Sequence, residues 1–165
     1  MHKRIIRILL FFSVFVLLSS CETQTVYSDY QQLDNGVWQV DDTLRFSFSQ
    51  LDSLEQYNVY LNVRNDNNFA FSNLFLITEL DYPNGETVSD TLEYEMALPD
   101  GTWLGKGLGS VKESKLWYRE NIVFPDSGVY KLKVLHAMRQ NGNVEGISKL
   151  NGITDIGVEI TKSTK

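Results

Sequence analysis

Apolar and polar residues alternate with a period of two along most of the chain from Val37 onward. In one such segment Leu44, Phe46 and Phe48 alternate with polar residues, so that every second side chain is apolar. This period places apolar side chains on one face of an extended strand, and each segment therefore predicts a half-buried strand. The segments are 44–48, 57–63, 74–80, 92–98, 116–124, 130–138 and 156–160.

Turn residues lie between these segments, where hairpins need them. The turn sequences are Pro83-Asn84-Gly85, Pro99-Asp100-Gly101, Pro125-Asp126-Ser127-Gly128 and Asn151-Gly152. Proline fixes φ, and glycine and asparagine tolerate positive φ, as tight turns require. Helical spacing is seen only over 111–118 (Val111, Lys115, Tyr118) and predicts at most one or two turns. About eight short strands predict an all-β domain over residues 37–165, a two-sheet antiparallel β-sandwich of jelly-roll or immunoglobulin-like (Ig-like) type.

Residues 1–20 have the features of a lipoprotein signal peptide. Basic residues precede an apolar run over 8–18 that only Ser13 interrupts. A bilayer-spanning helix needs about 20 apolar residues, so this run fits a signal-peptide core better than a permanent anchor. It ends in Leu18-Ser19-Ser20-Cys21, which resembles a bacterial lipobox. We therefore predict cleavage before Cys21 and acylation of its thiol. The alternatives are a secretory signal with a chance cysteine, or a short uncleaved anchor.

Residues 21–36 link the predicted lipid to the predicted sandwich. The segment after Cys21 is polar, with Val26, Tyr27 and Tyr30 as its main nonpolar residues. One interpretation is a flexible linker, which at 15 residues would reach on the order of 20 Å. The other is that the part around residues 26–30 pairs as an edge strand. The sequence favours neither.

Composition and charge exclude several classes of protein. The chain has 165 residues, is 42% hydrophobic, and carries 15 basic against 21 acidic residues for a formal charge of −6. The hydrophobic content excludes a disordered acidic chain. The charge excludes the basic surface by which proteins bind nucleic acid. Because anionic lipid headgroups would repel an acidic surface, membrane attachment is expected through the N-terminal lipid alone.

The inventory of reactive side chains predicts no enzyme and no cofactor. The single histidine of the mature chain, His136, shares an alternating face with Leu132 and Val134, which is typical of a core histidine rather than a catalytic base. One histidine without a free thiol cannot build the usual zinc site. The acidic and amide residues at 41–42 and 65–68 lack calcium-loop spacing and predict Asx-rich turns.

A glycine-rich segment, Gly105-Lys106-Gly107-Leu108-Gly109, superficially resembles a phosphate loop. It meets neither the dinucleotide spacing nor the Walker spacing, so no nucleotide is expected. Glycine here is better explained by a bulge or by close approach of another backbone.

Aromatic residues offer the best candidates for a contact surface, because flat rings stack on sugars and anchor protein interfaces. Trp103 follows a Pro-Asp-Gly turn and precedes the glycine-rich segment, which places it at a loop end. We predict that Trp103, Asp100, Lys106 and Tyr94 contact a partner or a glycan. Trp38 and Trp117 are expected to fill the core.

Four segments of the mature chain carry a resemblance to a known family. They are 71–76 (FSNLFL), 90–97 (DTLEYEMA), 99–107 (PDGTWLGKG) and 150–157 (LNGITDIG), and 136–139 (HAMR) also fits. Together with the lipobox they resemble the gliding-motility lipoprotein family GldH, in family order and over nearly the whole mature chain.

The resemblance implies an envelope lipoprotein required for gliding over surfaces in Bacteroidetes-type bacteria. It implies work alongside other motility or secretion lipoproteins and a link to the type IX secretion machinery. For the location, the periplasmic face of the outer membrane is favoured over the inner membrane, and the residue after Cys21, Glu22, does not decide between the two. Relatives also occur in non-gliding members of that group. The family supplies no catalytic or cofactor residues to carry over.

Two functions follow as hypotheses. One is a non-enzymatic assembly or scaffold component that binds protein partners through a loop end or a sheet edge. The other is a glycan-binding module of the envelope. Sugar-binding surfaces usually present several coplanar aromatic rings, so the exposure and orientation of the three tryptophans distinguish the two hypotheses.

Overall fold

The computed structural model describes residues 24–140, 142 and 145–163. Within those residues it has ten strands: β1 (Thr25–Gln32), β2 (Val37–Gln39), β3 (Leu44–Phe48), β4 (Tyr57–Asn65), β5 (Asn73–Asp81), β6 (Thr87–Glu95), β7 (Lys112–Ile122), β8 (Tyr130–His136), β9 (Lys149–Asn151) and β10 (Ile153–Lys162). No helix in this part of the chain has the length and hydrophobicity that crossing a membrane requires. The predicted signal peptide and Cys21 lie outside the described residues.

The strands form two four-stranded antiparallel sheets and one short pair. One sheet has the order β1-β10-β4-β7, the other has the order β3-β8-β5-β6, and β2 pairs with β9. When β2 and β9 are left out and the eight remaining strands are renumbered 1 to 8 along the chain, one sheet has the order 1-8-3-6 and the other has the order 2-7-4-5. This is the eight-stranded jelly-roll order. The predicted β-sandwich is thus confirmed, and of the two types considered the topology is the jelly roll.

The core lies between the inner faces of the two sheets. Burial alternates along β3 and β5 as the sequence pattern predicts, and Phe46, Leu61 and Leu76 are completely buried. An aromatic cluster closes one end of the core, where the ring centroids of Phe48 and Tyr130 lie 5.8 Å apart and those of Phe124 and Tyr130 lie 4.9 Å apart. Aromatic side chains bury a large area each, so this cluster fixes that end of the sandwich.

Of the two interpretations of the segment after Cys21, the structure shows the edge strand, which runs from Thr25 to Gln32. β1 pairs with β10 along its length. Its Tyr27 ring packs on Phe48, with ring centroids 5.4 Å apart. Its Tyr30 ring covers Gly157, where a Cβ would come within 2.6 Å of that ring. The polar composition had obscured the strand because only one of its faces meets apolar side chains.

The short helical segment predicted over 111–118 is also wrong. Residues 112–122 form β7, which pairs antiparallel with β4 from Asn65 to Tyr57. The spacing of Val111, Lys115 and Tyr118 is coincidental, because Val111 and Lys115 are exposed and only Tyr118 is buried. Pairing with β4 satisfies the backbone groups of this segment that face β4, and an isolated helical turn cannot compete with that.

The two ends of the sandwich carry different loops. At the Thr25 end, β1 and β4 begin and β7 and β10 finish, and this end carries the loops 49–56, 82–86 and 123–129. The opposite end, called the Gly152 end here, carries the loops 66–72 and 96–111, the described residues between β8 and β9, and the turn at Gly152 between β9 and β10. All four segments that resemble the GldH family include residues at or near the Gly152 end.

Candidate functional site: a groove at the edge of β7

A groove of about 550 Å³ lies along the free edge of β7 near the Gly152 end. We call it the edge groove. Its lining comes from the end of β6, the β6–β7 loop and the first half of β7: Glu95, Leu104, Lys106, Glu113, Ser114, Lys115 and Leu116. A wider depression of about 640 Å³ lies beside β2 and β9, and its lining includes none of the predicted contact residues.

The backbone of β7 is unpaired within part of this groove. Glu113 exchanges two 2.8 Å hydrogen bonds with Lys106, so its backbone groups point away from β4. Successive residues of an antiparallel strand alternate in this direction, so the N–H and C=O of Lys115 also point away from β4. Among the described residues, nothing bonds to the Lys115 backbone on that side. The groove therefore exposes hydrogen-bonding groups of a sheet edge.

Tyr94, a predicted contact residue, lies at the end of the unpaired stretch. Its hydroxyl donates a 2.6 Å hydrogen bond to the carbonyl oxygen of Trp117, two residues beyond Lys115. The Trp117 carbonyl therefore points away from β4, as expected for a residue two positions beyond Lys115 on an antiparallel strand. Burial of Tyr94 is the main reason its pKa is raised to about 12, with smaller contributions from Tyr118 and Asp90. Its phenol therefore stays protonated and remains a donor that joins the two sheets.

Lys106, the second predicted contact residue in the groove, is held there by its backbone. The neighbouring Gly105 approaches β7 so closely that a Cβ would lie 2.8 Å from the Ser114 hydroxyl and 3.0 Å from the Glu113 carbonyl oxygen. The glycine-rich segment thus serves close backbone approach, as its composition indicated. The Lys106 side chain is left exposed at the groove.

Trp103 and Asp100 lie outside the groove, in the preceding turn. The Asp100 carboxylate accepts a 2.9 Å hydrogen bond from the Thr102 backbone N–H, and this bond is the main cause of its lowered pKa. Trp103 is partly buried against Phe69, with ring centroids 6.1 Å apart. Both residues line or adjoin a shallow depression of about 430 Å³ formed with Phe71 and Leu98. The four predicted residues therefore divide between two neighbouring sites.

Trp117 was expected in the core, and this prediction is wrong. Its side chain is 51% exposed on the outer face of the β1-β10-β4-β7 sheet, 4.5 Å from the ring of Tyr60. The Lys115 side chain lies over the Tyr60 ring, with its Nζ 4.1 Å from the ring centroid. The same Nζ forms a 2.9 Å ion pair with the Glu159 carboxylate. Strand alternation could have predicted this exposure. Ser114 and Tyr118 are buried at even-numbered positions of β7, so the odd-numbered Trp117 lies on the opposite, outer face.

Trp38 and His136 occupy the core together, as their positions predicted. Trp38 is completely buried, donates a 2.8 Å hydrogen bond to the Asp42 carbonyl oxygen, and packs edge-on to His136 with centroids 5.4 Å apart. His136 is 3% exposed. Burial lowers the pKa of His136 below its usual 6.5, against smaller raising effects from Trp38 and Asp42. A buried neutral imidazole in this setting serves packing.

This shift predicts a loss of stability in mild acid. Above a pH of about 6.5 His136 is neutral in both folded and unfolded chains, so it has no effect. As the pH falls below that value the unfolded chain takes up the proton first, and stability declines until the folded pKa is reached. We expect urea midpoints of the wild type to fall between pH 7 and pH 5. In His136→Phe, which keeps an aromatic ring beside Trp38, the fall should be smaller. Identical slopes in the two proteins would refute this account.

Acidic and amide residues at the predicted turn 65–68 bind their own backbone. The Asp66 carboxylate accepts hydrogen bonds from the Asn68 backbone at 2.8 Å and from its side chain at 3.0 Å. Over residues 24–140, 142 and 145–163 no three or more His, Cys, Asp or Glu side chains are grouped as a metal site would need.

The fold and the groove define a small jelly-roll domain with an open sheet edge. Comparison with known proteins gives its family. The family model described as GldH lipoprotein matches residues 25–160, and the chain belongs to that family. It is thus a gliding-motility lipoprotein, attached to the cell envelope by lipid.

Two relatives support this assignment. The chain is 47% identical over 156 residues to the "Gliding motility lipoprotein GldH homolog" of Christiangramia forsetii, covering 94% of this chain and 95% of the relative. It is 43% identical over 145 residues to the "Gliding motility lipoprotein GldH" of Flavobacterium johnsoniae, covering 88% and 89%.

Solved structures give only distant likenesses. The VP2 subviral particle of infectious bursal disease virus has a TM-score of 0.38 at 14% identity, covering 82% of this chain and 30% of the viral chain. A family GH115 4-O-methyl-α-glucuronidase has a TM-score of 0.40 at 14% identity, covering 86% and 17%. Scores this low carry no argument about fold or function.

Proposed function

We propose that this lipoprotein is a non-enzymatic assembly component of the gliding and type IX secretion machinery. It is held by a lipid on Cys21 at the periplasmic face of the outer membrane, where it binds other motility or secretion lipoproteins. The names of the relatives at 47% and 43% identity support the motility role. The partner role is supported by the edge groove.

The observation that carries the partner role is the unpaired backbone of Lys115 within a groove. Extended peptides bind such edges by adding a strand, with backbone hydrogen bonds for affinity and side-chain pockets for specificity. Leu104 and Leu116 supply apolar surface in the groove, and Lys106 and Glu95 supply charges of both signs. A partner strand with apolar residues at alternate positions and charged residues between them fits this lining.

The glycan alternative has less support. Trp38 is completely buried, Trp103 packs on Phe69, and Trp117 is half exposed on the outer face of a sheet. The Trp117 ring is tilted by 48° from its neighbour Tyr60. A sugar platform needs rings that share one plane and one surface, and these three tryptophans occupy three separate environments.

A backbone-specific variant tests the strand-addition mechanism. Proline is tolerated on an edge strand where its missing N–H faces away from the sheet. Lys115→Pro should therefore keep the β4–β7 pairing and remove a donor that a partner strand needs. Lys115→Thr is the matched control, because it removes the same side chain and keeps the donor. Tagged wild type and both variants would be crosslinked in cell envelopes and isolated by affinity.

We expect wild type and Lys115→Thr to recover the same motility or secretion proteins, and Lys115→Pro to lose most of them. Thermal unfolding of the purified variants checks that each is folded. Equal recovery by a folded Lys115→Pro protein would exclude strand addition at β7. A monomer that recovers no envelope protein and shifts on polysaccharide gels would replace the assembly role with glycan binding.

A further inference from the structure

We infer that the Thr25 end of the sandwich lies against the anchoring bilayer, with Leu54 and Val129 in contact with the lipid headgroup region. The inference rests on the lipidation of Cys21 within the proposed function. It adds the orientation of the domain and a second interaction surface, one for lipid rather than for protein.

The length of chain between the lipid and the sandwich sets this orientation. Only three peptide steps separate Cys21 from Gln24, whose carbonyl oxygen accepts a 3.0 Å hydrogen bond from the Lys162 backbone N–H. Full extension sets the upper limit for three residues at about 11 Å, and any other conformation is shorter. The nine residues of β4 measure about 30 Å along the sheet. The tether is thus much shorter than the domain, and the Thr25 end is the end that it holds at the membrane.

Exposed apolar side chains occur on the loops of that end. Leu54, at the tip of the loop 49–56, is 91% exposed, and Val129, in the loop 123–129, is 51% exposed. These two loops also border a depression of about 390 Å³ that includes Leu51. The Gly152 end has exposed apolar residues too, including Leu108 at 100%. The short tether, rather than a difference in hydrophobicity between the two ends, determines which exposed apolar residues meet the lipid.

The acidic residues at the Thr25 end are largely held in local bonds. The Glu55 carboxylate lies 3.4 Å from the Lys162 amine. The Asp126 carboxylate accepts a 3.1 Å hydrogen bond from the Asn84 amide, and Asp52 accepts one of 2.9 Å from the Leu54 backbone. The three loops of this end, 49–56, 82–86 and 123–129, contain no lysine or arginine. Because anionic lipid is attracted by clustered basic residues, loops of this composition suit a zwitterionic headgroup layer.

This orientation places the edge groove away from the bilayer. Glu113 in the groove pairs with Arg64, seven residues along β4 from Tyr57 at the Thr25 end. Seven residues of strand correspond to about 23 Å. The groove then faces the periplasmic space, and the exposed Leu108 lies farther from the lipid than Leu54.

Two leucines, one at each end, give a matched test. The acylated Cys21 is the only cysteine, so Leu54→Cys and Leu108→Cys each introduce a single free thiol for a fluorescent label. Both positions are almost fully exposed, and neither change should disturb the fold. The lipidated proteins would be isolated from membranes, reconstituted in phosphatidylcholine vesicles with a headgroup spin-label quencher, and separated by flotation.

We expect the label at position 54 to lose most of its emission and the label at position 108 to keep it. Equal quenching at both positions, or stronger quenching at position 108, in protein that floats with the vesicles would overturn the orientation and leave the partner role intact. Protein that fails to float would overturn the anchor and this inference with it. Loss of partner recovery in the Lys115→Pro experiment would leave the quenching pattern unchanged.

Discussion

Replacing Gly152 with alanine is expected to remove most of the folding stability of the domain, about 4 kcal/mol. Gly152 has φ of +87°, and a Cβ there would lie 2.5 Å from the Cα of Phe69 and closer still to its nitrogen. The obstacle is backbone, so no rotamer change relieves it. The free energy of unfolding of native domains is about 5–15 kcal/mol in total, so the urea midpoint should fall sharply.

The position matters because three loops meet at this glycine. Its N–H donates a 2.8 Å hydrogen bond to the Gly36 carbonyl oxygen, and its own carbonyl oxygen accepts one of 2.8 Å from the Asp66 N–H. Displacing Phe69 would also disturb Trp103, which packs on it. We therefore expect near-ultraviolet circular dichroism to change together with stability.

Gly85→Ala is the control for backbone conformation alone. Gly85 has φ of +92° in the β5–β6 turn and nothing within 4 Å of an added Cβ. The change should lower the free energy of unfolding by about 1 kcal/mol, which is the cost of holding an alanine in the left-handed backbone conformation. If the two alanine variants unfolded at the same urea concentration, the close packing of Gly152 on Phe69 would be refuted.

Replacing Cys21 with serine is expected to abolish membrane attachment. Metabolic palmitate labelling should disappear, and the chain should move from the membrane to the soluble fraction. Each buried methylene of an acyl chain contributes about 0.8 kcal/mol to membrane binding, and stable anchoring takes two or more lipid signals. The apolar contacts proposed at Leu54 and Val129 are too few to replace the lipid, and the acidic chain gains nothing from anionic headgroups.

Ser20→Ala serves as the matched control for Cys21→Ser. It changes the residue before the cleavage site to a commoner lipobox residue and keeps the acceptor thiol. Labelling and membrane attachment should match the wild type. Palmitate in the Cys21→Ser protein at the wild-type level would mean that another residue carries the lipid, and the tether length used for the orientation would then be wrong.

The strand segments could be read from the sequence because their signal is local. Alternation such as Leu44, Phe46 and Phe48 reports which side of one strand is buried, and it needs no knowledge of the neighbours. The same pattern did not identify β1 or the first part of β7, whereas the strand predicted over 116–124 overlaps the rest of β7. The buried contacts of β1 are few, and the accidental spacing of Val111, Lys115 and Tyr118 imitates a helix until the pairing of β7 with β4 is known.

The candidate site was predictable only in part. Trp103, Asp100, Tyr94 and Lys106 were selected as surface residues around one loop, and all four lie on or near it. That Tyr94 and Lys106 meet the β7 edge, while Trp103 and Asp100 adjoin another depression, depends on contacts between residues far apart in the chain. The outward position of Trp117 was available from strand parity and was missed because large aromatic residues usually fill cores.

The sequence by itself determined the class of protein. Its local patterns predicted an exported lipoprotein with an all-β body, no apparent catalytic set and a GldH-type family signature. The tertiary structure alone decided the jelly-roll order, the close packing that requires Gly152 and Gly105, and the open edge at Lys115. These depend on which strands become neighbours, and that choice is made by packing and hydrogen bonding between distant segments rather than by the properties of any one of them.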